Sequence, residues 1–258
     1  FLNVVVEQKA IDVALRVFGP GGATVAWSDS LNGAFGLERV AVVAPAAGFY
    51  DIDVSTTSNA PDGRYLLTLN AIRAPTARDL DHAAAEATMA EADALRRQNT
   101  ADARRRAAER YRDAASGFAR LGLEYEAVLA TYSAGFTRLV NGDTRAAVLD
   151  LADALPLATT RDDALRAAVI NTLGGAYDIL GDLDRAMGYY REALALARTH
   201  GNRGPAASAL NNIGKLFSDM SQWQAALEQY REALPLASAQ HDTRLEGIVL
   251  HNIGVSYD

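Results

Sequence analysis

The 258-residue chain contains no cysteine, only four histidines, and few tryptophans and methionines, at two and three. Without a thiol, a disulfide framework, a thiolate zinc site and a cysteine nucleophile are excluded within these residues. No metalloprotease helix, nucleophile elbow or phosphate loop ending in Lys-Ser/Thr occurs either. Long hydrophobic runs are also missing. The longest, Val40 to Tyr50, is about half a membrane span and is interrupted by Pro45 and Gly48. Basic charge is in deficit, with 25 Lys and Arg against 32 Asp and Glu and a net charge of −7. That balance argues against nucleic acid as a partner, because such binding needs a basic stripe to displace counterions. What is present, 49% apolar and 22% charged residues, is the composition of a water-soluble folded protein of one large or two ordinary domains.

Two grammars divide the chain. Alanine accounts for 12 of residues 1–75 and 39 of the remaining 183. In the first segment Ile11, Val13, Leu15 and Val17 alternate with other residues, as do Tyr50, Ile52 and Val54, and Tyr65, Leu67 and Leu69. Alternation of period two places one side-chain set on each face of a strand, one to bury and one to wet. Turn clusters separate the runs: Gly19-Pro20-Gly21-Gly22, Asp29 to Gly33, and Ala60-Pro61-Asp62-Gly63. About six short strands with turns between them read as an antiparallel β-sandwich over 1–75. After Pro75 the pattern becomes helical. Asp79 to Arg97 lacks Gly and Pro, and Thr100 is placed to cap the next helix, running to Leu121. The expected organisation is a β-sandwich at 1–75, a helical linker with divergent repeats at 76–160, and regular repeats at 161–258.

From residue 161 the chain repeats itself at a spacing of 40. Ile170-x-x-Leu173-Gly174-x-x-Tyr177, then Ala186-x-x-x-Tyr190 and Ala193-Leu194, recurs as Leu210-x-x-Ile213-Gly214-x-x-Phe217, then Ala226-x-x-x-Tyr230 and Ala233-Leu234. A third copy opens at Leu250-x-x-Ile253-Gly254-x-x-Tyr257. A weaker copy upstream keeps Gly135, Ala147, Leu151 and Ala154-Leu155 but has Thr131 and Arg138 at apolar and aromatic positions. Small residues let two helices of a unit approach closely, and the aromatic is expected to fill the hole against the next unit. One unit cannot bury its apolar face alone, so stacking neighbours creates the core. The pattern resembles the tetratricopeptide repeat, with an aliphatic residue in place of Trp. Its period resembles the longer-helix variants of kinesin light chain and related bacterial proteins.

The leader carries a second resemblance. Val4-Val5-Val6-Glu7-Gln8, Ile11-Asp12-Val13, Gly19-Pro20-x-Gly22, Asp29-Ser30-x-Asn32-Gly33, Ala47-Gly48-x-Tyr50, Gly63-Arg64-Tyr65 and Arg73-Ala74-x-Thr76-x-Arg78-Asp79 resemble the N-terminal part of bacterial CHAT-domain tetratricopeptide proteins. There a sandwich similar to the pre-peptidase C-terminal domain precedes the repeats, and a caspase-like CHAT domain follows them. The resemblance implies an α+β multidomain chain: an N-terminal antiparallel β-sandwich, then an all-α solenoid. It implies a sensing arm rather than an enzyme, since this chain has no Cys to pair with His82, His200, His241 or His251. It also implies export to the periplasm or surface, although a cytoplasmic location is compatible with the residues. The chain opens at Phe1 without Met or a signal-like segment and stops inside a repeat, so it reads as a fragment with more repeats or a cap expected to follow.

Candidate sites follow from the repeat alignment. The first helix of each unit would line a concave groove, where Asn171, Asn211, Asn212 and Asn252 fall on or beside the lining face. An Asn amide both donates and accepts, so a ladder of them can pair with a peptide backbone of any sequence or, alternatively, tie neighbouring helices together. This resembles the Asn ladder of kinesin light chain repeats. Asp178, Lys215, Asp219 and His251 are neighbouring groove candidates. A single lysine argues against a clamp for an acidic C-terminus. The implied partner is a protein or peptide, with no nucleic acid, cofactor or membrane span. Asp29, Asn32 and Glu38 carry the oxygens of a calcium site, but turn chemistry explains Asp29 and Asn32-Gly33 without metal. Arg104-Arg105-Arg106 reads as a solvated helix face, and Trp27 and Trp223 as packing residues. A rival reading has the sandwich binding carbohydrate or a cell-surface polymer through Trp27, Phe35, Phe49, Tyr50 and Tyr65, with the repeats as spacer.

Overall fold

The computed structural model describes every residue except Ala10, 30–34, 57–62, 159–162, 240–241 and Asp258. The chain forms two compact units, Phe1–Gly142 and Asp143–Asp258.

The first unit contains β1 (Leu2–Lys9), β2 (Val13–Phe18), β3 (Thr24–Ser28), β4 (Phe35–Val42), β5 (Asp51–Thr56) and β6 (Arg64–Ile72), then α1 (Ala77–Arg97), α2 (Ala101–Arg120) and α3 (Glu124–Val140). The strands form two antiparallel three-stranded sheets, ordered β4-β1-β6 and β3-β2-β5. In the first, Val4 lies opposite Val40 and Leu69, and Val6 opposite Glu38 and Leu67. Directly opposed residues share a face, so these rows point together. Val4, Val6 and Val40 meet Val13, Leu15 and Val17 of the second sheet in one apolar cluster. The Gly19-Pro20-Gly21-Gly22 corner turns β2 into β3, with the Gly22 N–H donating to Gly19 O at 2.9 Å and positive φ at Gly21 and Gly22.

A carboxylate lies inside this apolar layer. Glu38 is fully buried, and it accepts hydrogen bonds from Gln8 Nε2 at 3.2 Å and Ser28 Oγ at 2.6 Å. The Gln8 Oε1 in turn accepts the Val13 N–H at 2.6 Å, so the buried polar atoms satisfy one another. The expected alternation fails at β6, whose residues are exposed on both faces rather than one. β6 lies at the edge of its sheet, and among the described residues none of its side chains belongs to the apolar cluster that the two sheets share.

The Arg73-to-Asp79 motif turns out to be the joint from β6 into α1. Thr76 caps α1, and the Asp79 carboxylate in turn accepts the Thr76 N–H at 2.8 Å. Arg73 grips the same carboxylate with both terminal nitrogens, through Nη2 at 2.8 Å and through Nη1. The Arg73 hydrogen bond, backed by those of Thr76, holds the Asp79 carboxyl far below the usual carboxylate range. Thr100 caps α2, accepting the Ala103 N–H at 3.2 Å. Arg97 stacks its guanidinium 3.7 Å from the Trp27 ring and Arg39 lies 4.7 Å over Tyr125, fastening β3 and β4 to the helices. Among the helices, Tyr111 is buried and donates its hydroxyl hydrogen to Asp93, while Arg96 Nε donates to the Tyr111 oxygen at 3.1 Å. Burial pushes the Asp93 carboxyl up to about 6 despite these partners.

The second unit contains α4 (Thr144–Ala154), α5 (Asp163–Ile179), α6 (Leu183–Thr199), α7 (Arg203–Asp219), α8 (Trp223–Ala239) and α9 (Thr243–Val255), giving nine helices among the described residues of the chain. Each helix packs on the next, and α7 also lies beside α5 and α9. The core is an apolar cluster from Ile170 to Val249, rich in alanine at zero exposure. The aromatic of each unit sits differently from the expectation. Tyr190 and Tyr230 lie over the glycine of their own unit, so that a Cβ at Gly174 would come within 2.6 Å of the Tyr190 ring and one at Gly214 within 2.5 Å of the Tyr230 ring. Glycine admits the ring inside the helix pair, which seals each unit before the next one stacks on it. At Gly254, the third copy of this position, a Cβ would meet nothing within 4 Å. Leu250 and Tyr257 of that copy are 51% and 65% exposed.

Candidate binding face of the helical repeats

The two asparagine rows converge because α5, α7 and α9 carry equivalent positions at the 40-residue offset. Asn252 Nδ2 donates to Asn211 Oδ1 at 2.9 Å, Asn211 Nδ2 to Asn212 Oδ1 at 3.4 Å, and Asn212 Nδ2 to Asn171 Oδ1 at 3.2 Å. The four amides form one directional chain across three helices. Asn211 is buried at 7% exposure, whereas Asn171, Asn212 and Asn252 are half-buried. Both alternatives open in the sequence therefore bear on the same side chains: the amides tie the helices together, and each keeps unused hydrogen-bonding capacity.

One helical turn further along, Lys215 of α7 reaches Asp178 of α5 at 3.1 Å and Asp219 of its own helix at 2.6 Å. Burial pulls the Lys215 ammonium down, and the hydrogen bonds it donates to Asp219 and Asp178 more than offset it, so the group lies above its ordinary value. The cluster carries one net negative charge. His251 stands apart: it is exposed, and among the described residues it makes no hydrogen bond or ion pair.

Ser218 and Ser256 extend this face, although sequence reasoning did not select them. Ser218 lies 3.3 Å from the Tyr230 hydroxyl and 3.5 Å from Ser256 Oγ. The signal was available, since Ser218 is the 40-residue equivalent of Asp178. Burial raises the Tyr190 hydroxyl, helped by the charges of Asp178 and Asp219, so its phenol stays protonated as a hydrogen-bond donor beside this row.

Other candidates fall elsewhere. Of the calcium set, Asn32 lies outside the described residues, and Glu38 is committed to Gln8 and Ser28. Among the described residues no group of three His, Asp or Glu side chains is arranged to hold a metal ion. Arg104 bonds Asn99 and Asn141, and Arg105 pairs with Asp102 at 3.3 Å on the helix surface. Trp27 carries Arg97 on its face, the Tyr50 hydroxyl bonds the Ala46 backbone, and Trp223 is 46% exposed at the start of α8. Among the described residues, no helix is long and apolar enough to cross a membrane.

A family model for the tetratricopeptide repeat matches residues 165–239, the span of α5 to α8. No curated protein matches the chain. Among solved structures, BtubC (BKLC) from P. vanneervenii is 22% identical with a TM-score of 0.54, covering 71% of this chain and 84% of that one. The nearly identical TPR-like repeats of a putative kinesin light chain from Podosopora anserina are 15% identical with a TM-score of 0.52, covering 66% and 84%. A Rap protein complexed with Competence and Sporulation Factor is 16% identical with a TM-score of 0.52 and covers 70% of this chain. This chain spans about half of that Rap chain, 51%. These likenesses are of fold: the helical region is a tetratricopeptide-like solenoid.

Proposed function

We propose that the chain is a non-catalytic scaffold whose helical repeats bind an extended peptide or protein segment on the face formed by α5, α7 and α9. The observation that carries this reading is the four-amide chain from Asn252 to Asn171. Its members are already ordered by one another, so little side-chain entropy remains to be lost on binding. Half-buried amides with unused donors and acceptors suit a peptide main chain, which presents both at regular intervals. The acidic Lys215 cluster beside them disfavours a C-terminal carboxylate as the ligand. Support also comes from a Rap protein of similar fold, whose crystal structure holds Competence and Sporulation Factor.

In the finer version of this reading, 1–75 is a β-sandwich that caps the array or offers a second docking surface. Residues 76–160 are divergent repeats, and the whole is the sensing arm of a CHAT-type protein whose protease responds to the captured partner. The order of strands and repeats supports that version, and the shared apolar cluster of the two sheets supports a sandwich. The carbohydrate reading has less behind it, because Trp27 and Tyr50 are already engaged. Replacing Asn211 and Asn212 by Ala in the full chain should abolish capture of partners from a peptide library while the melting curve persists. Undiminished capture would remove the amide chain from the binding face.

A further inference from the structure

Strand β6 pairs with β1 along one edge, and among the described residues no strand pairs with the other. An open edge presents unpaired N–H and C=O groups that template another strand, and folded proteins usually blunt it with lysine, proline or short length. β6 has none of these devices: its nine residues include no Lys or Pro, and its one charge, Arg64, lies at the first position. Its apolar side chains are exposed on both faces, at 49% for Tyr65, 55% for Leu66, 38% for Leu67 and 45% for Leu69. Opposite Gln8, Val6 and Val4 of β1, the residues Tyr65, Leu67 and Leu69 belong to the inward row. The register shifts only after Leu69, so alternation is regular from Arg64 to Leu69.

We propose that β6 pairs antiparallel with β6 of a second copy of this chain, about a two-fold axis at Leu67. The segment is self-complementary in that register. Leu67 meets Leu67, Tyr65 meets the second copy's Leu69, Leu66 meets Thr68, and each unlike contact occurs twice. A two-fold axis perpendicular to the sheet keeps both inward rows on the same side. The exposed apolar residues thus join into one stripe, and the sheet continues as β4-β1-β6-β6-β1-β4. No like charges meet. Arg64 faces the uncharged Asn70, and the two Arg64 residues stand about 20 Å apart along the seam, beyond the screening length at physiological salt.

The absence of native cysteine makes the register directly testable in the full chain. Under mild oxidation Leu67→Cys should become a covalent dimer, because identical residues on the axis lie within disulfide reach. Tyr65→Cys should not, since its counterpart is about 14 Å further along the strand, whereas the Tyr65→Cys/Leu69→Cys double variant should. Sedimentation of the unmodified chain between about 1 and 100 µM should give twice the 27.5 kDa chain mass, and Leu67→Arg should weaken dimerisation at least about tenfold. A single-chain mass throughout, or cross-linking of Tyr65→Cys as readily as Leu67→Cys, would overturn the proposal. The cysteine series decides even if Leu67→Arg fails to fold, because Leu67→Cys is a mild change at a partly exposed position.

Discussion

The helical repeats and the N-terminal strands bury apolar surface by different means. In the two full repeats the packing positions recur 40 residues apart: Gly174 and Gly214 receive the rings of Tyr190 and Tyr230, and buried alanines recur between them. Contacts are local, and a change at one copy can be compared with the same change at another. In the strands the partners are distant. β1 meets β4 and β6 through residues 26 to 70 positions away, and a buried carboxylate, Glu38, is satisfied by Gln8 and Ser28 from other strands. The periodic core thus leaves no room for a Cβ at Gly174 and Gly214, whereas the non-periodic one tolerates a charge if every partner is in place.

The sharpest way to break this comparison is to fill the glycine hole. Gly214→Ala drives a Cβ into the Tyr230 ring and should cost about 2–3 kcal/mol, more than the gain in helix propensity returns. Gly174→Ala should cost a similar amount in urea unfolding, since its Tyr190 contact is nearly the same. Gly254→Ala should instead be neutral or stabilising, because nothing described lies over it. Equal costs at all three positions would contradict the idea that the aromatic decides.

A second effect belongs to the first unit. Asp93 titrates near 6 in the folded chain because burial favours its neutral form. A carboxyl raised above its unfolded value of about 3.9 stabilises the fold fully below that pH and loses its contribution as pH rises through 6. Asp93→Asn should remove that pH dependence, worth about 2–3 kcal/mol between pH 4 and 7. The test is denaturant unfolding at both pH values: an unchanged slope would place the titration elsewhere. Asp79 runs in the opposite sense. Its depressed carboxyl adds stability above the unfolded value that is lost as pH falls, so the two carboxyls oppose each other in acid.

The smallest effect compares two turns. Gly181 and Ser221 are 40 residues apart, and both adopt positive φ, at 78° and 60°. Only glycine does so without strain, so Ser221→Gly should stabilise the chain by about 0.5–1 kcal/mol, raising the melting temperature, while Gly181→Ser should lower it.

Much of the helical region was legible because its information is local and repeated. The Gly, Ala and Tyr positions mark helix pairs wherever they occur, and the Asn positions follow from the same alignment. What the tyrosine packs against was not legible, since period alone does not distinguish a hole within a unit from one between units. In the strands, alternation identified β2, β5 and β6, but β6 carries the same alternation as a half-buried strand and lies at an edge that no described strand pairs. Edge or centre is set by which distant strand arrives beside it, which no local pattern records. The Arg73–Asp79 motif was visible as letters, yet its capping box and bidentate pair appear only when β6 leads directly into α1. The identical pentapeptides at Ala154–Ala158 and Ala233–Ala237 behave differently for similar reasons: α4 ends at Ala154, whereas α8 runs through Pro235.

The central claim is that the asparagine face of α5, α7 and α9 meets the ligand. It is tested most directly by the side-chain amide resonances of Asn171, Asn212 and Asn252, followed while a captured peptide is titrated into the full chain. These resonances should shift with the same saturation curve as the backbone signals of α5 and α7. Saturating binding that leaves all three amides unmoved would contradict the account.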